Sequence, residues 1–299
     1  MRITSQMTTA SAVDRMTDLR TAIDAAQNKV TTGKRFERAS EDPTAATAVM
    51  GNQSELRALA QYRRNVGTAQ RRTALEEGVV DRLNDLLTRA KELAVSQATA
   101  TADATTRRVA KNEANELLNA AVQLANTRDG DDYLFGGVQS GTAPFTIDRS
   151  ASAFSFTTST PTGAREVEIG AGQRLFANHD GVQVFGSTTA GALAALQQLA
   201  TALDVGTQTA VTNALPTLDT AIADVQTIVG ELGARGSQLE IAEANIGALS
   251  ASLTAFTSDL QEVDLEQAIT ELVGRQTAYQ AAMAATSRVM GLTLTDYLR

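Results

Sequence analysis

Apolar residues recur at intervals of three and four at both ends of the chain. Near the start the stripe is Met16, Leu19, Ile23, Ala26 and Val30. Near the end it is Leu265, Ile269, Leu272, Gln276, Tyr279, Met283, Thr286 and Met290. Such alternation is the seam of a helix that packs lengthwise on another helix. Matching ends predict that the two termini meet each other, or meet copies of themselves, so assembly is the reading to test before catalysis.

The same periodicity organises the interior. Residues 1–32 read as one helix, stopped by Gly33, with Lys29, Lys34 and Arg35 suited to the negative end of its dipole. A polar connector, 35–41, leads to Asp42-Pro43, which restarts a helix with Asp as N-cap and Pro at the first helical position. No proline follows until after Asn126, and Leu75, Val79, Leu83, Leu86, Ala90 and Leu93 keep a helical stripe, with a break expected around Thr99–Thr105. Leu215, Leu218, Ile222, Val225, Val229 and Leu232 form a later series, continued by Leu239, Ala242, Ile246, Leu249, Leu253, Phe256, Leu260 and Val263. The phase slips at Asp264, which marks a joint between two packing environments.

Between Asp129 and Gly191 the pattern changes. Six of the eight Phe fall here (Phe135, Phe145, Phe154, Phe156, Phe176, Phe185), with short alternating runs at Phe154–Thr157, Val167–Ile169 and Val182–Phe185. Alternation punctuated by Gly and Pro predicts β-hairpins, with turns near Gly141–Pro144, Pro161–Gly163, Gly170–Gly172 and Asn178–Gly181. The expected fold class is therefore mainly α with a small β insert. It is nested and elongated: the N- and C-terminal segments form a helical bundle or coiled coil, capped by a β-rich domain. The expected domains are 1–42 with 264–299, 43–128 with 191–263, and 129–190, joined at Gly33, Asp42, Pro43 and Asp264.

Composition removes other classes of function. Apolar residues are 43% of the 299, but aromatics are 4% and Trp is absent, which suits thin helical bundles. The formal net charge of −8 opposes nucleic-acid binding, which needs a basic face. The doublets Arg63-Arg64, Arg71-Arg72 and Arg107-Arg108 lack interleaved aromatics and read as solvated helix faces. Cysteine is absent and His179 is the single histidine, so thiol chemistry and a His-based metal cluster are excluded and no metal or cofactor is expected. No apolar run approaches the roughly 20 residues of a membrane span, so no membrane insertion is expected. The opening Met1–Gln6 lacks the apolar region of a secretory signal, which predicts a cytoplasmic protein or export without a cleaved signal.

Possible sites resolve into structure. Asp129-Gly130-Asp131-Asp132 places its Gly too early for an EF-hand and reads as a solvated turn. Gly33-Lys34 lacks the upstream Gly and following Ser/Thr of a phosphate loop. His179, in Asn178-His179-Asp180-Gly181, reads as an exposed turn histidine without triad partners. The aromatics of 133–185 read as the core of the β insert.

Met1-Arg2-Ile3-Thr4, the joint Thr32–Arg35 with Ala39–Ala46, and the end segments Val263–Leu272, Gln276–Ala281 and Leu292–Leu298 together closely resemble the ends of the flagellin superfamily. Within it, Asp42-Pro43, Tyr133–Gly137 with Gly141–Phe145, and Val167–Phe185 are similar to subunits of the hook–filament junction. The resemblance implies an extracellular structural subunit of the flagellum, not an enzyme, exported by the flagellar type III apparatus. Its implied partners are copies of itself in a ring, the adjoining hook-associated protein on the hook side, flagellin on the filament side, and an export chaperone before secretion. A filament-forming flagellin, or a flagellin homologue whose insert binds surface polysaccharide, stays open. The terminal stripes would be the assembly interface. With Gln276 and Thr286 at seam positions their stability is low, so 1–40 and 265–299 are expected to be mobile in the monomer and to order on assembly.

Overall fold

The computed structural model describes residues 2–99, 102–159, 163, 165–176 and 178–297, with the side chains of 2–6, 8–9 and 289–297 outside the described set. The elements are α1 (Arg2–Thr32), α2 (Pro43–Gln97), α3 (Ala104–Ala125), β1 (Arg128–Asp129), β2 (Asp132–Tyr133), β3 (Phe145–Asp148), β4 (Ser155–Thr158), β5 (Glu166–Gly170), β6 (Gln173–Phe176), α4 (Gly181–Phe185), α5 (Ala192–Val205), α6 (Gln208–Gln261) and α7 (Leu265–Tyr297). Mainly α architecture with a small β insert is the observed class. Packing groups the chain into two compact units, Met1–Ala58 with Leu249–Arg299 and Leu59–Ala248, rather than into the three parts expected from the pattern.

In the first unit the caps follow the sequence. Gly33 adopts φ +69° and its N–H donates to Lys29 O at 2.9 Å, a helix stop that suits a residue without Cβ. Asp42 Oδ1 accepts from Ala45 N at 3.0 Å and Asp42 O from Ala46 N at 2.9 Å, so Asp42 caps α2 with Pro43 at its first position. The connector is less polar than its sequence: Phe36 is buried with Ala45, Ala46 and Val49, with Leu260 packed against them. Asn52 Nδ2 donates to Thr257 Oγ1 at 3.2 Å, tying α2 to α6 here.

In the second unit α2, α3, α5 and α6 share one core. Leu83, Leu87, Leu118, Leu193, Leu196, Leu199, Leu203 and Leu218 are fully enclosed. Gln70–Glu243 at 2.9 Å and Lys91–Asp219 at 2.7 Å show α2 and α6 running antiparallel in this unit. The break between α2 and α3 falls where expected, and Asp103 caps α3 through Thr106 N at 2.7 Å. Helix α6 starts before the Leu215 series and carries Pro216 inside it.

Among the described residues the β insert holds three separate antiparallel pairs, β1–β2, β3–β4 and β5–β6. Val182–Phe185, expected as a strand, is instead the short helix α4. Asp180 and Gln183 form a reciprocal capping box, a local signal that outweighs a four-residue alternation. Among the described residues the buried rings of the insert join the core of the helices. Phe135 meets Phe185 at 5.0 Å and Phe145 meets Phe185 at 5.8 Å between ring centroids, and these rings belong to the same cluster as the helices. Phe176, by contrast, is exposed. Gly186 and Gly191, both at positive φ, close the loop after α4 so tightly that a Cβ on Gly186 would lie 2.1 Å from Ala190 O. The turn expected at Pro161–Gly163 lies outside the described residues except for Gly163.

Candidate assembly interface

Two joints anticipated separately are zipped together in the first unit. Arg35 N donates to Gln261 O at 2.7 Å, Val263 N donates to Gly33 O at 2.9 Å, and Lys34 bridges Glu262 as an isolated antiparallel β-pair. Asp264 then caps α7, its Oδ1 accepting from Glu266 N at 2.9 Å. This clip sets α1 and α7 off together and fixes their antiparallel start, and the two helices pack along one another. Lys29 helps hold the Glu271 carboxyl below its ordinary range, after the larger effect of the Arg275 guanidinium that donates to it.

On α1 the structure places the sequence-derived stripe toward the pair. Ala26 is 4% exposed, and Met16, Leu19, Ile23 and Val30 are half-buried. On α7 the inner row is different from the expected one. Ala268 is buried and Leu272, Arg275, Tyr279, Ala282 and Thr286 are half-buried, a strict four-three series. Leu272, Tyr279 and Thr286 lie in both rows. Leu265 and Ile269, at 49% exposure each, and Met283, at 47%, face solvent together with Val273, and Gln276 is exposed as well. The Met290 side chain lies outside the described residues. Hydrophobicity alone placed the seam only in part because half of its inner row is Ala268, Arg275 and Ala282, which carry little hydrophobic signal although the arginine stem covers apolar surface. Leu265, Ile269, Val273 and Met283 are left outward.

The second unit holds a buried polar clasp that the sequence did not disclose. His179 is 4% exposed, contrary to the exposed turn expected for it. Its Nδ1 lies 3.3 Å from Glu76 Oε2 and its Nε2 lies 3.1 Å from Glu231 Oε2. Arg235 approaches both the His179 ring, at 3.2 Å, and Glu76, at 3.5 Å. Arg72, also buried, pairs with Glu76 at 3.7 Å and donates to Leu134 O at 2.5 Å. Arg107 is the second buried member of an arginine doublet, donating to Gln97 O, Thr99 O and Gly206 O. Both contradict the reading of the doublets as wholly solvated. The crossing of α2, α6 and the insert explains the burial of Arg72, since the partners lie 62 to 159 positions away in the chain for Arg72 with Leu134 and for Glu76 with Arg235, whereas Arg107 is held by the end of α2, the loop after it and the end of α5.

Asp132, in the Asp129–Asp132 turn, accepts from Ser140 Oγ at 2.7 Å and pairs with Arg165 at 3.4 Å, both of which lower its pKa. Among the described residues no group of three or more His, Cys, Asp or Glu could hold a metal ion, and no helix is long and apolar enough to cross a membrane.

Antiparallel terminal helices, a helical body and a small β insert define a flagellin-type helical subunit. Residues 3–140 match the N-terminal helical region of bacterial flagellin, and residues 215–298 match its C-terminal helical region. The chain belongs to the bacterial flagellin family. It is 26% identical to flagellar hook-associated protein 3 of Escherichia coli, over 89% of this chain and 90% of that protein. It is 22% identical to the flagellar filament 30.7 kDa core protein of Treponema maltophilum, over 86% and 84%. Its fold is shared with the crystal structure of flagellar hook-associated protein 3 from Legionella pneumophila, with a TM-score of 0.63 and 16% identity over 71% of this chain and 98% of that one.

Proposed function

We propose that this chain is a structural subunit of the bacterial flagellum that forms the junction ring joining hook to filament. The observation that carries the reading is the terminal helix pair: only Ala26 and Ala268 are fully buried in its seam among the described residues, while Leu265, Ile269, Val273 and Met283 form an exposed apolar row on α7. An apolar row of this kind marks a protein–protein contact. The likeness to hook-associated protein 3 over most of both chains gives that contact its setting. The partners are then copies of this chain, a hook-associated protein on the hook side and flagellin on the filament side. An export chaperone covers the terminal helices before secretion through the flagellar type III apparatus, and the subunit works outside the cell, as a scaffold and not as an enzyme. It inserts into no membrane and binds no nucleic acid.

Immunogold labelling of intact flagella tests this. A band confined to the hook–filament boundary is expected. Label along the whole filament would favour the filament-forming reading, which the likeness to the Treponema filament protein keeps specific.

A further inference from the structure

The sequence of α2 is divided by charge. Between Leu56 and Leu75 it has Arg57, Arg63, Arg64, Arg71 and Arg72 and no Asp or Glu; immediately after come Glu76, Glu77, Asp81 and Asp85, with Arg82 among them. In the second unit Arg64, Arg71 and Arg82 are exposed. Their spacings of seven and eleven residues bring them within about 20° of one another on the helix, since 3.6 residues make a turn. Arg64 and Arg71 bond only to the neutral side chains of Gln61 and Thr68, and none of the three forms an ion pair among the described residues. Leu75, 43% exposed, lies on the same face.

Glu77, Asp81 and Asp85 are also exposed, and none of them forms an ion pair among the described residues. Their four-residue spacing makes a continuous ridge, turned by about 90° from the arginine face. Glu243 on α6 accepts from Gln70 rather than from these arginines. One helix thus carries an unneutralised basic face and an unneutralised acidic ridge, in a chain whose net charge is −8.

The two patches lie on different faces of α2 and form no ion pair with each other among the described residues. They can satisfy each other between copies, in a head-to-tail contact that repeats around a ring or helix. We propose that the Arg64, Arg71 and Arg82 face of one copy seats against the Glu77, Asp81 and Asp85 ridge of the next, and that this contact sets the order and spacing of subunits. The inference rests on the reading that the chain assembles with copies of itself. It goes beyond that reading by naming a second contact surface on α2, separate from the terminal helices. Complementary charge of this kind specifies register and suppresses wrong neighbours.

Charge reversal tests it, in flagellated cells whose own copy of the gene is replaced. R64E/R71E and D81R/D85R should each lower the fraction of hooks that carry filaments about tenfold, with the subunit released into the medium, because like charges then face each other. R64E/R71E/D81R/D85R together should recover to within about threefold of the parent. Circular dichroism of each purified variant checks that the helices persist. If one variant melts early, R64Q/R71Q and D81N/D85N replace the reversals, and a loss of assembly that salt no longer modulates is the expected result. Parental assembly from either single reversal overturns the proposal. So does a fourfold variant no better than the single ones, which would assign the arginine face to a different acidic protein. Immunogold position of the parent reports separately on the junction reading, so the two ideas fail independently.

Discussion

The two compact units are built by opposite rules. The second encloses Phe135, Phe145, Phe185 and a full set of leucines, with a buried ionic clasp fastening insert to helices. Among the described residues the first encloses Phe36, Val49 and a few alanines, closes its helix pair around Ala26 and Ala268, and leaves Leu265, Ile269, Val273 and Met283 on α7 outward. A unit that buries its large apolar groups is finished as a monomer. One that exposes them in a row gains its remaining stability from neighbours, because most helical stability comes from packing.

The comparison predicts where substitutions are felt. Phe185→Ala removes a ring that contacts two others in the core, and should cost about 3–5 kcal/mol in urea unfolding. A loss below about 1 kcal/mol would mean that the insert is not part of the common core. Glu76→Gln takes the negative charge from between His179, Arg72 and Arg235 and leaves the guanidiniums buried and uncompensated. Breaking such a pair costs about 3 kcal/mol, and the expected signature is early loss of amide protection in the insert. Unchanged protection there would show that the clasp is passive.

In the terminal pair the two predicted seam rows separate into two experiments. Ala26→Asp places a carboxylate in the buried interior of the pair and should unpair α1 from α7, seen as loss of helical circular dichroism, with assembly lost as a consequence. Ile269→Asp touches only the outward row. It should leave monomer stability within about 0.5 kcal/mol and still abolish incorporation into flagella. Normal flagella from Ile269→Asp would remove the assembly role of that row. In dilute monomer, amides of 1–40 and 265–299 should exchange faster than those of α3 and α5; equal protection would erase the contrast between the units.

What the sequence disclosed follows from which forces act locally. Helix ends were legible because Gly33, Asp42-Pro43 and Asp264 act on backbone groups within four residues. The α1 stripe was legible because large apolar residues fill it. The α7 seam was legible only in part, since Ala268, Arg275 and Ala282 carry no hydrophobic signature while the outward Leu265, Ile269 and Met283 do. His179 and Arg72 gave no signal of burial, for their partners come from other helices. A polar residue in a turn is ordinarily solvated, and only the clasp makes its burial affordable. Asp180 with Gln183 was the one missed signal that lay in plain sequence, a capping box that outweighs the strand-like alternation of Val182–Phe185.

The smallest expected effect sharpens the edge of the second unit. Asp204 accepts from Ser152 Oγ at 2.8 Å and from Lys111 Nζ at 3.1 Å, and these two hydrogen bonds, the hydroxyl's first, hold its carboxyl below the ordinary value. A carboxyl depressed in the folded state adds stability that is present above its unfolded pKa and disappears as pH falls through the folded one. The window therefore lies on the acid side of the usual Asp value of about 3.9. Asp204→Asn should lower stability slightly at neutral pH and flatten the loss of stability below that value, leaving the wild-type and variant curves convergent in acid. Because Asp204 is largely exposed, the neutral-pH difference should stay within the 0–1 kcal/mol of surface ion pairs. A variant curve that runs parallel to the wild type from neutral pH into acid would show that the Lys111–Asp204–Ser152 group adds no pH-linked stability to the helical core it borders.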